Sequence, residues 1–528
     1  MDAGFIARRT GWPGSRIDPR QPAVSFGAGA SWSYAELDDR VCRYANSLHA
    51  RGVRKGDRVG ILLFNCLEYW ALYLAVMRLG AVAVRLNFRL APEELAYALN
   101  DSGSRTVCFH ASLAERVDPI RETVAAGEWI ALADGDAPVP RWAHPWSVLE
   151  EGAAGEPDVP VPAADAPAML MYTSGTTGRP KGALWKHANT LWFAAMQAMQ
   201  WRLDEQTVAM TTGPMYHVGA VEDLTSAALA VGGHAVVLES GGFSIRTVLD
   251  IIAARGVTDV FLFPFMIYDL VQLDDGQPVE LGSVRRILCG GDPLLPWAIQ
   301  TINERYPWIE LVQVYGLTEG TPIAAATTGE ETRHAPESVG RPMPFTEISI
   351  RGESGEPVPA GEEGEIWIRS PVVCTEYWQR PDATAETFVD GWCRTGDLGR
   401  LNADGLLCIA GRQKDMIRSG GENIYPAELE DVLMRHEDVR EVAIVGVPDP
   451  KFVETVCAVV VPRAGASLGE EEVIDFCRER LAGYKRPRHV VFVDALPRTP
   501  SGKLMKYVLR DTYRPLGGEP GGGEPGRG

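Results

Sequence analysis

Up to residue 337 the polarity pattern alternates between two lengths. Residues 57–63, 81–84, 168–171, 257–264 and 286–290 are short apolar runs closed by Gly, Pro or polar residues, and each predicts a buried strand. Residues 66–79, between the first two runs, carry helical periodicity. Ser33 with Glu36 three residues later forms a capping box that opens a helix running to about Ala50. Pro92-Glu-Glu-Leu95 starts another helix with acids in its first turn, where they favour the positive end of the helix dipole, and His187 begins a long one. Strands alternating with helices predict parallel α/β units.

From residue 338 the period changes. Residues 347–351 and 364–369 are alternating strands separated by Gly, Pro and Glu turns, which predicts a small β subdomain. After about residue 415 a compact α/β unit is expected, with a helix at 427–433 and strands at 441–447 and 455–461. Residues 134–167 are rich in Pro, Ala, Gly and Asp without periodicity and read as surface loop. Residues 517–528, almost entirely Gly, Glu and Pro, cannot bury anything and are expected to be disordered.

Composition narrows the function. At 528 residues and 45% hydrophobic content the chain is too long for one ordinary core and predicts two or more domains. A net charge of −19 argues against a nucleic-acid partner, which needs a basic face. No apolar run has the length of a membrane span, and the first residues lack the charged-then-apolar order of a secretory signal, so a cytoplasmic protein is expected. Nine cysteines at 42, 66, 108, 289, 374, 393, 408, 457 and 477 include no Cys-x-x-Cys pair, and reduced, mostly buried thiols are the default.

The chemistry concentrates in Tyr172-Thr-Ser-Gly-Thr-Thr-Gly-Arg-Pro-Lys-Gly182, directly after an apolar strand. Glycines at 175, 178 and 182 allow tight turns and close approach to a ligand, Thr173, Ser174, Thr176 and Thr177 add hydroxyl donors, and Lys181 supplies a point charge. Such a set suits a polyphosphate, although most Ser/Thr/Gly clusters are solvated turns. The Walker pattern needs Lys followed by Ser or Thr, and here Lys181 is followed by Gly182 and Ala183, which disfavours an ordinary P-loop NTPase.

This loop closely resembles the signature of the adenylate-forming superfamily, in its acyl- and aryl-CoA synthetase branch. Further motifs in the family's order extend the resemblance over the whole chain except its termini. It implies an α/β fold with a large N-terminal ATP- and acyl-binding domain (1–413) of stacked αβ subdomains plus the β subdomain. A mobile C-terminal α+β domain (414–515) and a tail (516–528) complete it. It implies an ATP-dependent, AMP-forming ligase that makes an acyl-adenylate and passes the acyl group to coenzyme A. In Leu311-Val-Gln-Val-Tyr-Gly-Leu-Thr-Glu319 the resemblance assigns adenine stacking to Tyr315 beside Gly316, phosphate contact to Thr318 and Mg²⁺ to Glu319. A single carboxylate agrees with how Mg²⁺ is held on ATP. Gly290, Gly291 and Asp292 correspond to the turn bordering adenine and acyl group, Asp397 to the ribose ligand, Arg412 to a second ribose or phosphate ligand, Lys414 to the hinge and Lys503 to the terminal catalytic lysine, which the resemblance implies bridges carboxylate and phosphate in the first step.

Tyr216 and His217 match the aromatic-His motif that shapes the acyl pocket and thiol entry, and Val221, Glu222, Phe265, Gly290 and Gly320 complete the pocket implied by resemblance. If Glu222 faces that pocket it suits an amine-bearing or polar acid, and a compact aryl acid fits better than a long alkyl chain; the bland reading is a solvated helix edge. The acceptor side is carried by Arg89, the Gly420-Gly421 loop, Phe452, Tyr484, Arg486 and Arg488. Val453 stands where aryl-CoA ligases have glycine, so a carrier-protein thiol, an amine or nitrite remain alternatives to coenzyme A. The rival from another class is a nucleotide-binding sensor or scaffold without catalysis. The partners implied are a small-molecule carboxylic acid, ATP and the acceptor, with a homodimer left open.

Overall fold

In the computed structural model the described residues are 17–516 apart from 174–179, 242, 274–278, 293, 413–414, 420–421, 450, 479, 482 and 499–503; at 412, 418, 422 and 423 only the backbone is described. The chain divides into two compact units, residues 1–349 with 367–395, and residues 350–366 with 396–528. The sequence places the domain boundary at 413, whereas residues 350–366 and 396–412 group with the C-terminal unit.

The larger unit is built on two sheets. In the seven-stranded one the order is His144–Pro145, Glu128–Leu132, Thr106–His110, Arg58–Leu62, Val82–Arg85, Pro167–Thr173, Lys181–Lys186. Its strands are parallel except for the last pair, a hairpin in which Thr173 lies opposite Lys181. The nine-stranded sheet has a parallel centre, Glu310–Leu317, Arg286–Gly290, Asp259–Leu262, Val208–Thr211, His234–Val237 and Pro22–Phe26, with antiparallel pairs at both ends. Central strands are covered on both faces, which is why they read as unbroken apolar runs rather than as alternation.

The helices begin and end where local chemistry dictates. The capping box at Ser33 forms: the Ser33 N–H donates to Glu36 Oε2 at 2.8 Å, and the Glu36 N–H donates to Ser33 Oγ at 3.3 Å, opening the helix Tyr34–Ala50. The helix Leu67–Arg78 is buried along its whole length, so it is apolar all round rather than amphipathic. The stretch expected as featureless loop holds the helix Ser147–Glu150, because Trp146 and Leu149 are apolar anchors; the Trp146 indole donates to Tyr44 OH at 2.9 Å.

In the smaller unit the sheet order is Glu422–Ile424, Ile417–Ser419, Val453–Pro462, Val439–Asp449, with His489–Phe492 paired in parallel to Val453–Pro462. Ile444, Val456 and Val460 pack with Leu429, Leu433 and Val473 on one face, while Val445, Cys457 and Val459 pack with Leu496 and Leu509 on the other. All nine cysteines are free, and all but Cys66 are buried. Among the described residues no helix is long and apolar enough to cross a membrane. The Gly- and Pro-rich segment 517–528 lies outside the described residues.

Candidate active site

The hairpin Pro167–Thr173/Lys181–Lys186 delivers Thr173 and Lys181 side by side at the mouth of the hydroxyl-rich loop. Thr173 Oγ1 donates to Glu319 Oε1 at 2.7 Å, and Tyr377 OH donates to the same oxygen at 3.1 Å. Lys181 Nζ sits 5.2 Å above the Tyr377 ring. The main chain of the Thr318–Glu319 turn is fixed as well: Trp185 Nε1 donates to the Thr318 carbonyl at 3.0 Å, and the Cys374 N–H donates to that of Glu319 at 2.8 Å. Burial, and then the Glu319 carboxylate, push the Tyr377 phenol far above its ordinary range, so it stays a donor.

This turn depends on glycine. A Cβ on Gly316 would lie 2.2 Å from the Thr321 carbonyl oxygen and 2.4 Å from that of Pro322, so only glycine lets the chain fold back after Tyr315. Next to it, Gly290 is in register with Val314, and its Cβ would meet the Val314 carbonyl oxygen at 2.7 Å. The Gly290–Asp292 turn and Tyr315 are thus neighbours at the carboxyl ends of two parallel strands, where open α/β sheets bind ligands. Gly291 has φ +96°, and Gly320 packs against Leu317.

The Gly213–His217 turn follows another strand of the same sheet, and two side chains at the strand ends of the other sheet, Asn65 just past Arg58–Leu62 and Arg85 closing Val82–Arg85, hold its backbone. Asn65 Nδ2 donates to the Gly213 carbonyl at 3.0 Å, while Asn65 Oδ1 accepts from the Met215 N–H at 2.7 Å. Arg85 Nη2 donates to the Met215 carbonyl and, at 2.8 Å, to the His217 carbonyl. His217 caps the helix Val218–Val221, its Nδ1 accepting from the Gly219 N–H at 3.1 Å. Tyr216 is buried edge-on against Phe88 at 5.3 Å, burial pushing its phenol up to about 12 against the opposing pull of Arg89. The Arg89 guanidinium lies 5.2 Å over Phe88. Phe265, at the start of the helix Pro264–Gln272, stacks on Phe263 at 6.2 Å and meets Phe243 edge-on at 5.4 Å.

Glu222 does not offer a free carboxylate. It is fully buried, with Oε2 2.6 Å from Arg85 Nη1 and Oε1 accepting from Tyr73 OH at 2.7 Å. The expected bond to a substrate amine or hydroxyl is corrected on that ground: the carboxylate already has its cation and a second donor. The solvated helix edge is excluded too. Val221 is likewise core, at 0% exposure. Asp223 is buried beside the pair with Oδ1 unpartnered among the described residues, and burial followed by the Glu222 charge pushes its carboxyl well above the usual range.

In the smaller unit, Asp397 is buried and paired in register with Arg412, whose side chain is not described. The Arg488 guanidinium stacks on Phe452 at 4.1 Å and lies 3.8 Å from Asp449, whose Oδ1 accepts from the Phe452 N–H at 2.8 Å. Lys485 pairs with Glu428 at 2.6 Å, Arg486 donates to the Leu481 carbonyl at 3.3 Å, and Tyr484 is exposed. Val453 has φ +74° and is 74% exposed, a conformation that suits glycine and strains a β-branched residue. Ser174, Gly175, Thr176, Thr177, Lys414, Gly420, Gly421 and Lys503 lie outside the described residues.

Sequence reasoning missed Tyr377, Asn65 and Arg85. Arg85 had a signal, a lone charge directly after the apolar run 81–84: a charge in a buried strand needs a partner. Tyr377 and Asn65 had none, since only the fold brings them to their turns.

Residues 15–378 match the model of the AMP-binding enzyme family, and residues 428–503 that of the AMP-binding enzyme C-terminal domain. The chain belongs to the AMP-binding enzyme family. Feruloyl-CoA synthase of an Amycolatopsis species is 39% identical over 95% of this chain and 98% of its own length. A long-chain-fatty-acid–CoA ligase of Mycobacterium tuberculosis is 35% identical over 94% of this chain and 96% of its own. The crystal structure of ATP-bound MatB from Rhodopseudomonas palustris superposes with a TM-score of 0.88 at 31% identity, covering 98% of this chain and all of that one. The chain falls in the acyl- and aryl-CoA synthetase branch of the family and is an AMP-forming acid–CoA ligase. A catalytically silent sensor or a non-CoA acceptor is not favoured.

Proposed function

We propose that this AMP-binding enzyme activates a compact aryl acid with ATP and transfers it to coenzyme A. The observation that carries the substrate class is the aromatic cluster of Phe243, Phe263 and Phe265 beyond the carboxyl end of the strand Asp259–Leu262, in the same unit as the Tyr216–His217 turn. Flat rings in offset and edge-on contact favour an aromatic guest over a flexible alkyl chain. The aryl substrate named for the feruloyl-CoA synthase relative points the same way, and the long-chain substrate named for the mycobacterial one is the second reading.

In the first step an oxygen of the substrate carboxylate attacks the α-phosphorus of ATP, and the bond to pyrophosphate breaks. Lys181, paired with Thr173, would place positive charge on the phosphates, and Thr318 on the fixed turn would add a hydroxyl contact to them. Glu319, held through Oε1 by Thr173 and Tyr377, fits a single-carboxylate site for Mg²⁺ on its other oxygen. The ion would neutralise phosphate charge when bound. Tyr315 stacks on adenine, and Asp397 with Arg412 binds the ribose, the carboxylate accepting from two hydroxyls. In the second step the coenzyme thiol gives up its proton and attacks the acyl carbon, and AMP leaves. His217 borders that carbon, and in the smaller unit the Arg488–Phe452 stack with Arg486 and Tyr484 receives the coenzyme.

The test is acid-dependent pyrophosphate release, and CoA-thioester formation, across phenylpropenoic, benzoic and long-chain acids. A kcat/KM preference for the aryl acids is expected. A clear preference for long-chain acids would overturn the substrate class while leaving the ligase reaction standing.

A further inference from the structure

The guanidinium of Arg85 is completely buried, and its donors are directed at fixed acceptors. Nε donates to Tyr69 OH at 3.2 Å and Nη1 to Glu222 at 2.6 Å, while Nη2 bridges the carbonyls of Met215 and His217. The ring faces of Tyr69 and Tyr73 lie 6.0 and 5.2 Å from its Cζ. A buried ion pair is by itself weak evidence for stability, because desolvating two charges offsets most of their attraction. What distinguishes this one is where its remaining donors go: two carbonyls of the single turn that presents His217.

The segment is fixed at its far end too. Directly after Glu222 and Asp223 the chain breaks between the helices Val218–Val221 and Thr225–Val231 at Leu224, which is buried with φ +59°. The Gln197 side chain holds that break, Oε1 accepting from the Leu224 N–H at 2.7 Å and Nε2 donating to the Glu222 carbonyl at 2.9 Å. A strained, buried, non-glycine residue persists only where its surroundings over-determine it. The stretch from His217 to Leu224 is therefore pinned at its head by Arg85 and at its tail by Gln197, with Glu222 joining the two.

We propose that Arg85 is a positioning residue for the acid–CoA ligase reaction: by clamping the Met215 and His217 carbonyls it sets the His217 ring, and Glu222 with Tyr73 aims its guanidinium. This rests on the reading that His217 borders the reacting acyl carbon. A lysine could keep the charge pair with Glu222 but not the planar two-carbonyl clamp.

The experiment uses the full-length enzyme and compares Arg85→Lys, His217→Ala and the double variant, reading kcat and KM separately for acid, ATP and CoA. Arg85→Lys is expected to lower kcat/KM for the acid by about 10- to 100-fold while KM for ATP stays at the wild-type value. Adding it to His217→Ala is expected to cost no further activity, because both changes remove one arrangement. A general structural defect would instead lower ATP use as well and add to the His217 effect. If Arg85→Lys does not fold, the pair replacement Arg85→Met/Glu222→Met removes both charges together and is read in the same way. Wild-type kinetics in the Arg85 variant with His217→Ala impaired, or additive losses, overturns the positioning role. Wild-type kinetics in His217→Ala overturns the reading beneath it.

Discussion

At the scale of the residue, Glu222 shows why position in a motif does not settle chemistry. Next to an aromatic-His signature an acid suggests a recognition group, yet with Arg85 2.6 Å away and no exposure it is an internal counter-ion. Glu222→Gln is therefore expected to leave the ratio of kcat/KM for amino-substituted over unsubstituted aryl acids unchanged. The same change should destabilise the protein by about 3–5 kcal/mol, because it strands a buried guanidinium. Unfolding midpoints in urea and the two kcat/KM values check both halves. A changed substrate ratio without loss of stability would return Glu222 to the substrate. Glu319, assigned by resemblance, has different company: Thr173 and Tyr377 share one of its oxygens. The first of these partners sits in the signature loop and was legible there. The second lies 58 residues downstream and becomes a neighbour only through the fold.

Elements were more legible than contacts because their signals are local. The capping box at Ser33, the apolar runs at 57–63 and 286–290 and the acid-led helix start at Pro92 all produce the elements expected of them. The helix Ser147–Glu150 was invisible because two buried anchors, Trp146 and Leu149, sit in an otherwise Pro- and Gly-rich stretch, where one turn leaves no period to detect. Strand pairing also creates a pH dependence that no local pattern announces. His234 opens the strand His234–Val237, its Nε2 2.7 Å from Ser25 Oγ in the neighbouring strand Pro22–Phe26, and burial pushes the imidazole down to about 4. An unfolded histidine titrates near 6.5, so between 6.5 and 4 the unfolded chain takes up a proton that the folded one refuses. Stability is complete above 6.5 and falls as the pH drops towards 4, by at most about 1.4 kcal/mol per pH unit. His234→Gln, which keeps a polar side chain without the titration, is expected to flatten the unfolding midpoint over that interval relative to wild type. His110, also pushed down to about 4 by burial, leaves a residual slope in the variant. Identical profiles would show that the ring charges freely in the folded sheet.

At the scale of the whole molecule, the groups proposed for catalysis are divided between two separately compact units. Thr173, Lys181, His217, Tyr315, Thr318 and Glu319 belong to the larger, and Asp397, Phe452, Arg488 and Lys503 to the smaller. A reaction with two chemical steps predicts half-reactions that fail separately when a group serving only one of them is removed, and Lys503 is the residue on which to test it. Lys503 lies outside the described residues, but the chain on either side is tied into the smaller unit. Arg498 bridges to Leu504, the Met505 N–H donates to the Pro497 carbonyl at 2.8 Å, and Arg498 pairs with Glu441 at 2.8 Å. Truncating a side chain between such anchors leaves the pairing intact, so Lys503→Ala is expected to melt with the wild type. Its carboxylate-dependent pyrophosphate exchange should fall by about 100-fold or more, the loss typical of one charge or donor placed at a developing charge. Thioester formation from supplied acyl-adenylate and coenzyme A should persist, because that step needs no charge between carboxylate and α-phosphate. Exchange at the wild-type rate would remove Lys503 from the adenylation step. Loss of both half-reactions together would mean that Lys503 serves the thioester step as well as the adenylation step.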